Sequence, residues 1–271
     1  MKNKLIKIFN LTFYYSIDIL YSIFLIVLNI FKLKKISKQK LTIVTAASST
    51  HAKSLMQFLN SVSKYSPNSI VEVYSLDLNP NQLEELNIFT INNQNININN
   101  FTFNKFPEHF NIMIQNGSYA WKGVIIHEVY NRTEGLVLWL DAGNLINNNL
   151  FFIKVLIYIH GFFSPISSNR IIDWTHPDTL KKFEDLENYY KKRNKNGAII
   201  GFNVSNKNSK LFIEDFYKMS IDKSYIAPDG SSRENHRYDQ SIISLLFFKY
   251  FNKFIPKTYK LFGISIHNDI D

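Results

Sequence analysis

Cysteine is absent from these 271 residues. That excludes a disulfide framework, a thiolate zinc site and a cysteine nucleophile. It also fits a reducing compartment. Glycine and proline are scarce, at nine and seven, so collagen-like and low-complexity linker architectures are excluded. No Gly-x-Gly-x-x-Gly follows an apolar run, and no Gly-x-x-x-x-Gly-Lys-Ser/Thr, Gly-x-Ser-x-Gly or His-Glu-x-x-His occurs. A dinucleotide fingerprint, a phosphate loop, a serine-hydrolase elbow and a zincin helix are all unsupported. A basic field over the body is missing too. Residues 1–40 hold eight lysines and one acid, Asp18, so +7 of the net +9 sits there and the other residues carry only +2. The footprint of a nucleic-acid partner is therefore lacking.

What is present is apolar and aromatic: 45% hydrophobic residues and 15% aromatics, ample for a packed core in one large domain. The chain divides into a hydrophobic, lysine-flanked stretch over 1–40 and a globular body over 41–271. Residues 11–31 read "LTFYYSIDILYSIFLIVLNIF". As a helix they span roughly 31 Å, about a bilayer core. Asp18, Ser22 and Asn29 form a stripe about 40° wide on that helix. The stripe admits a spanning helix with a partner, an interfacial helix, or a helix docked on the body. Membrane association through 11–31 is expected, and the five lysines after it against three before it predict a cytoplasmic body. No small-residue cleavage site follows. Sequons at Asn100, Asn116, Asn131 and Asn203 are what an asparagine-rich chain produces by chance.

The body alternates. "LTIVTA" (41–46) predicts a buried strand. "SSTHAKSLMQFLNSVSKY" predicts a helix capped by Ser48, Ser49 or Thr50, with Leu55, Phe58, Leu59 and Val62 at helical spacing. "SIVEVYSL" predicts a second strand, "NPNQLEEL" a short helix, and "NIFTINN" a weaker third strand. "NNQNININN" reads as a loop or a drifted edge. "SYAWKGVIIHEVYNR" predicts a helix and "GLVLWL" a central strand. This order predicts an α/β domain with a mainly parallel sheet, in which ligands gather beyond the carboxyl ends of the strands. Thr45-Ala46-Ala47 closes the first strand with residues small enough for a ligand to approach. Asp141 closes the fourth, and Ala142 and Gly143 after it leave room.

Three stretches carry chemistry. Tyr119-Ala120-Trp121-Lys122 puts a lysine in the opening turns of a helix, where the dipole disfavours it and an anion would offset the cost; a surface lysine beside two core aromatics is the plain alternative. Asp141, at the end of an apolar strand, suits Mn²⁺ or Mg²⁺, or else an Asx-turn. His236, Arg237, Tyr238, Asp239 and Gln240 open an amphipathic helix with more polar groups than a core-facing start needs.

"YAWKGVIIHEV", "VLWLDAGN" and "HRYDQS", in this order, together with "TIVTAAS" and "VEVYSLDLNPNQ", resemble a group of glycosyltransferases with the GT-A fold, over about residues 41–245. The resemblance implies a single Rossmann-like α/β domain that takes a nucleotide-diphospho-sugar donor and a hydroxyl acceptor on a glycan, lipid or protein. It implies donor contacts from Thr45, Ala46, Trp121, Lys122, Gly143, Gly201, Asn203, His236, Arg237 and Gln240. Asp239 is the first candidate for the base and Asp173 the second, with Asp141 at the ion or the donor ribose. His267 is placed like a histidine that closes a metal shell; a solvated tail is its plain reading. Two departures stand out. Gly143 replaces the second acid of the Asp-x-Asp pattern, and Ser75 stands where an acid is expected, with Asp77 displaced by two. The competing function is a catalytically inactive, membrane-tethered module that binds a sugar or nucleotide.

Overall fold

The computed structural model describes residues 2–251 and 261–271. Helices α1 (Lys2–Leu28) and α2 (Ile30–Ser37) come first, and β1 (Leu41–Ala47) then opens the body. α3 (Ala52–Tyr65), β2 (Ile70–Ser75), α4 (Pro80–Ile91), β3 (Ile96–Asn100), α5 (Ala120–Arg132) and β4 (Leu136–Leu140) complete the first half. The second half holds β5 (Leu145–Ile146), α6 (Phe151–His160), β6 (Phe162–Phe163), β7 (Ile166–Arg170), α7 (Pro177–Lys181) and β8 (Arg193–Lys195). It continues with β9 (Ile199–Asn203), α8 (Lys207–Ile221), α9 (Lys223–Ile226), α10 (Asp239–Phe251) and β10 (Ile264–Ser265).

The main sheet has the order β3-β2-β1-β4-β9-β6. The first four strands are parallel, and β9 runs antiparallel to both β4 and β6. β1 and β4 are buried at every position, as the continuous apolar runs of strands covered on both faces require. Side chains alternate across the sheet. Val44, Val137 and Trp139 pack with α5, α8 and α10 on one face. Ile43, Leu138 and Leu140 pack with α3 and α6 on the other. Burying each such side chain contributes about 1.5–3 kcal/mol. Leu55, Phe58, Leu59 and Val62 are all buried on α3, as their spacing predicts.

Three expectations are corrected. The stretch "NIFTINN" is no strand: its first five residues are the C-terminal part of α4, which starts on a capping box between Asn79 and Gln82 with Pro80 at its first position. The third strand is β3, inside the asparagine-rich stretch and at the sheet's edge. Asn97 and Asn99 each donate to the Glu72 carboxylate on β2, at 2.9 and 2.8 Å. The helix expected from His236 begins at Asp239, because Tyr238 has a left-handed backbone (φ 47°). Before α3, a 3-10 turn over Ser49–His51 intervenes, and Ser48 at its start makes no side-chain cap.

Candidate active site

A cavity of about 410 Å³ opens where the carboxyl ends of β1, β2 and β4 meet the start of β9. Ala46 and Ala47 come from β1, Asp77 follows β2, Asp141 to Asn144 follow β4, and Ala198 precedes β9. The volume falls within the range of small-molecule sites.

Behind Asp141 lies a buried charged cluster at the meeting of two helix N-termini. Lys122, in the first turn of α5, lies 2.6 Å from Asp239 Oδ2, on the first residue of α10, and 3.2 Å from Asp141 Oδ1. The contact to Asp239 is an ion pair. The ammonium also donates to the Gly197 carbonyl at 3.1 Å, and it lies 5.3 Å from the Trp139 ring centroid. The side chain of Lys122 is 3% exposed and that of Asp239 8%, whereas Asp141 is 41% exposed. Asp141 is thus the carboxylate that faces the cavity. It is oriented by Trp139 Nε1, which donates to Oδ1 at 2.6 Å. Burial alone would drive the proton from Lys122. The Asp141 and Asp239 carboxylates outweigh it and hold the ammonium above the ordinary lysine range. Burial pushes the Asp239 carboxyl up, against the pull of Lys122 and with the push of Asp141.

One wall has the opposite backbone hand. Gln115, Asn116, Gly117, Ser118 and Tyr119 are all left-handed, with φ between 47° and 61°. Each non-glycine residue there costs about 1–2 kcal/mol, so packing must hold the run. Gly117 has no alternative, because a Cβ would lie 2.3 Å from the Phe110 carbonyl oxygen. Trp121 Nε1 donates to the Asn116 carbonyl at 3.1 Å, and Tyr238 Oη donates to Gln115 Oε1 at 2.7 Å. The run brings Asn116 and Tyr119 to the cavity and swings the chain into α5. Arg233 lies over the Tyr119 ring, 5.9 Å from its centroid.

The opposite wall is the chain's last segment. β10 pairs antiparallel with β5, and the Asn268 N–H donates to the Gly143 carbonyl at 2.9 Å. The Asp271 side chain accepts from the Lys53 and Ser54 N–H groups at 2.8 and 3.0 Å, capping α3 as Ser48, Ser49 and Thr50 do not. His267 and Asp269 line the cavity. A Cβ on Gly143 would lie 2.1 Å from Asp269 Oδ1. The Asp269 carboxylate therefore fills the space of the side chain that position 143 lacks.

Of the expected residues, Ala46, Trp121, Asp141, Gly143 and His267 line the cavity, and Lys122 and Asp239 lie beneath it. Gln240 abuts Gly197, where an added Cβ would lie 3.4 Å from Gln240 Cβ and 3.3 Å from Asp239 Oδ2. Its Nε2 is buried with no hydrogen-bond partner among the described residues. Thr45 Oγ1 is likewise buried and unpartnered, and Thr45 is not among the cavity residues. Arg237 stacks on Trp174, its guanidinium 4.3 Å from the ring centroid.

The structure places four residues elsewhere. His236 is fully buried: Nδ1 accepts from the His176 N–H at 3.1 Å and Nε2 donates to the Ile226 carbonyl at 3.0 Å. Burial lowers its pKa to about 4. Gly201 gives room to Ile157, whose Cδ1 would lie 2.3 Å from an added Cβ. Asn203 pairs with Leu136, at the end of β4 remote from Asp141, because β9 is antiparallel. Asp173 is chelated by Arg170, with side-chain contacts of 2.6 and 2.9 Å; those hydrogen bonds hold its carboxyl at about 2. Sequence reasoning missed Asn144, Arg233 and Asp269 on the cavity wall. Asp77 had left a signal in its displaced position.

Among the described residues, no three carboxylate or imidazole groups converge as metal ligands. Asp141 and Asp269 are two oxygen donors on one cavity, with Asp77 a third carboxylate against the single guanidinium of Arg233. That donor set does not make an all-protein cage. It suits a hard ion held by one or two carboxylates and completed by substrate phosphates.

This arrangement, a parallel sheet with one reversed strand and a cavity beyond its carboxyl ends, is a GT-A-like fold. Among solved structures, the bifunctional glycosyltransferase WbbM superposes with TM-score 0.56 at 16% identity, over 79% of this chain and 38% of WbbM. The galactosyltransferase LgtC, solved with donor and acceptor sugar analogues, superposes with TM-score 0.51 at 17% identity, over 83% of this chain and 86% of LgtC. At these identities the likeness defines the fold. The chain spans well under half of WbbM. By sequence, the family described as protein of unknown function DUF1647 matches residues 6–127. No curated protein matches the sequence.

Proposed function

We propose that this protein is a glycosyltransferase that moves a sugar from a nucleotide-diphospho-sugar to a hydroxyl acceptor. One observation carries the reading: Lys122, buried between Asp141 and Asp239, backs the carboxylate that lines a cavity beyond the strand ends of a GT-A-like fold. In the transfer, the bond from the anomeric carbon to the diphosphate oxygen breaks and a bond to the acceptor oxygen forms. The acceptor's proton goes to a carboxylate, and negative charge gathers on the departing diphosphate. Asp239 is the candidate for that carboxylate, on its place at the start of α10 beside Lys122 and behind Asp141, and burial raises its pKa. Asp141, held by Trp139 and Lys122, offers a fixed carboxylate to an ion or the donor ribose.

Three carboxylates against one guanidinium on the wall make the cavity a poor host for a naked diphosphate. A bound Mn²⁺ or Mg²⁺ would neutralise that charge, and Asp141 and Asp269 are the residues to hold it. Arg233 replaces Arg237 as the side chain to meet the phosphates. The acceptor is a glycan, lipid or protein hydroxyl. We place the body on the cytoplasmic side of a membrane, whose anionic leaflet attracts the lysines that follow the first apolar stretch.

The test is a panel of UDP- and GDP-sugars incubated with the purified chain and Mn²⁺. Release of nucleoside diphosphate from one of them supports the reading. Binding without release, with or without an acceptor panel, identifies an inactive binding module instead.

A further inference from the structure

Helices α1 and α2 meet at Asn29, and the apolar pair bends there by 94°. Asn29 ends α1 by turning its own side-chain amide onto the Leu25 carbonyl at 3.0 Å. Among the described residues no single helix is long and apolar enough to cross a membrane. The polar stripe read from the sequence faces inward: Asp18 and Ser22 are buried and Asn29 is half-buried, and Leu25 and, on α2, Ile36 are buried beside it. Leu25 belongs to the core cluster shared with α6. Tyr21 Oη lies 3.3 Å from His160 Nε2 at the end of α6, and Lys154 Nζ donates to the Ser37 carbonyl at 3.1 Å.

That docking leaves the opposite face bare and apolar. Leu20, Ile23, Phe24, Val27, Leu28 and Ile30 are each more than half exposed, and Phe31 at the corner is 97% exposed. So contiguous an apolar face is foreign to an ordinary protein surface. Lysines follow it directly. Lys32, Lys34, Lys35 and Lys38 are exposed on and just after α2, and none of the four pairs with a carboxylate among the described residues. Apolar area beside unpaired cations is the complement of one surface, an anionic bilayer.

We infer that the α1–α2 elbow seats the protein in the plane of an anionic lipid surface. Its outer apolar face lies in the acyl boundary and the α2 lysines lie among the headgroups, and the helix does not cross. This deepens the membrane part of the proposed function and does not depend on sugar transfer, so the two can fail separately. A spanning helix would have to pull Asp18 and Ser22 off the body and straighten the bend at Asn29. A cleft of about 360 Å³ between α1 and the start of α6, lined by Ile19, Ile23, Phe152 and Phe262, extends the apolar face onto the body.

The experiment is flotation of the full chain with vesicles of phosphatidylcholine alone, or with a third of the lipid replaced by phosphatidylglycerol. The expected result is binding to the anionic vesicles only, weakened as salt rises from about 0.1 to about 0.5 M. Replacing Lys32, Lys34, Lys35 and Lys38 with glutamine should lower that binding at least about tenfold. Phe24→Ser with Phe31→Ser should lower it by a similar factor while the far-UV circular dichroism is unchanged. Because the chain lacks cysteine, Asn3→Cys and Lys38→Cys each give a unique thiol. Both should react with a membrane-impermeant maleimide added outside the vesicles. Protection of one and not the other means a crossing helix and overturns the proposal. Equal binding to neutral vesicles, no binding, or a dimer that forms in place of vesicle binding overturns it as well.

Discussion

Lys122 Nζ and Asp239 Oδ2 sit 2.6 Å apart where the first turns of α5 and α10 converge. Removing one side of a buried pair leaves the other charge without compensation, which costs about 3–5 kcal/mol. Lys122→Met should lower stability by about that much and abolish activity. Its pH dependence has a definite sign. Without the ammonium, burial and the Asp141 charge both push the Asp239 carboxyl up with no cation against them, and its pKa rises further. The variant should regain stability as pH falls through that raised value, and lose it as pH rises. Urea melts across the acid range read this directly. A variant with wild-type stability at neutral pH would contradict the ion pair.

Asp141→Asn keeps an oxygen for the Trp139 N–H and removes the charge facing the cavity. Sugar transfer should fall by about 10²–10³ while the melting temperature changes little. Turnover near wild type would take Asp141 out of the chemistry.

The Asp269 carboxylate lies where a side chain at position 143 would be. Asp269→Asn should weaken Mn²⁺ binding, read by calorimetry in the presence of UDP or GDP, by at least about tenfold. Gly143→Asp with Asp269→Gly returns a carboxylate to the same volume and should restore binding. Unchanged Mn²⁺ affinity in the single variant would show that Asp269 is no ligand.

The left-handed run makes an opposite pair of forecasts. Ser118→Gly relieves a positive φ and should stabilise by about 1 kcal/mol. Gly117→Ala drives a methyl into the Phe110 carbonyl and should destabilise by more than that. Thermal melts of both variants decide, and a stable Gly117→Ala chain would mean the run is easily rearranged.

His236 is neutral in the fold, its Nδ1 engaged as an acceptor, with a pKa near 4 against an ordinary value of about 6.5. The stability this contributes is complete above about 6.5 and is lost as pH falls toward 4, a difference of about 3 kcal/mol. His236→Gln should flatten that slope relative to wild type between neutral pH and pH 4. Parallel slopes would contradict it.

The strands and helices that carry the site were legible because their apolar periods are strong. "LTIVTA", "LVLWL" and the 55-58-59-62 spacing needed only local physics. So did the placing of Asp141, since an acid ending a buried strand must emerge at the sheet's edge. Other features depended on what lies across the chain. Asn97 and Asn99 sit in a strand that pairs along β2, where Glu72 accepts from both side chains, and nothing local announces that pairing. Strand direction is also silent in a local pattern: "GAIIGFN" reads as a strand, but only the antiparallel register carries Asn203 away from the cavity. The cluster at 236–240 reads locally as one polar unit. The fold divides it, sending His236 to the core, Arg237 to Trp174 and Asp239 to Lys122. The return of the last segment onto Gly143 and α3 is a long-range pairing with no periodic trace.

The reversal of β9 also has an evolutionary corollary. Where neighbouring strands run together, it is the residues after each strand that meet the ligand. Here it is the residue before it, Ala198, that lines the cavity, so the excursion from β6 to β9 becomes the natural ground for drift in what the cavity admits. Insertions there would reshape the cavity mouth while the buried lysine–aspartate cluster stays unchanged.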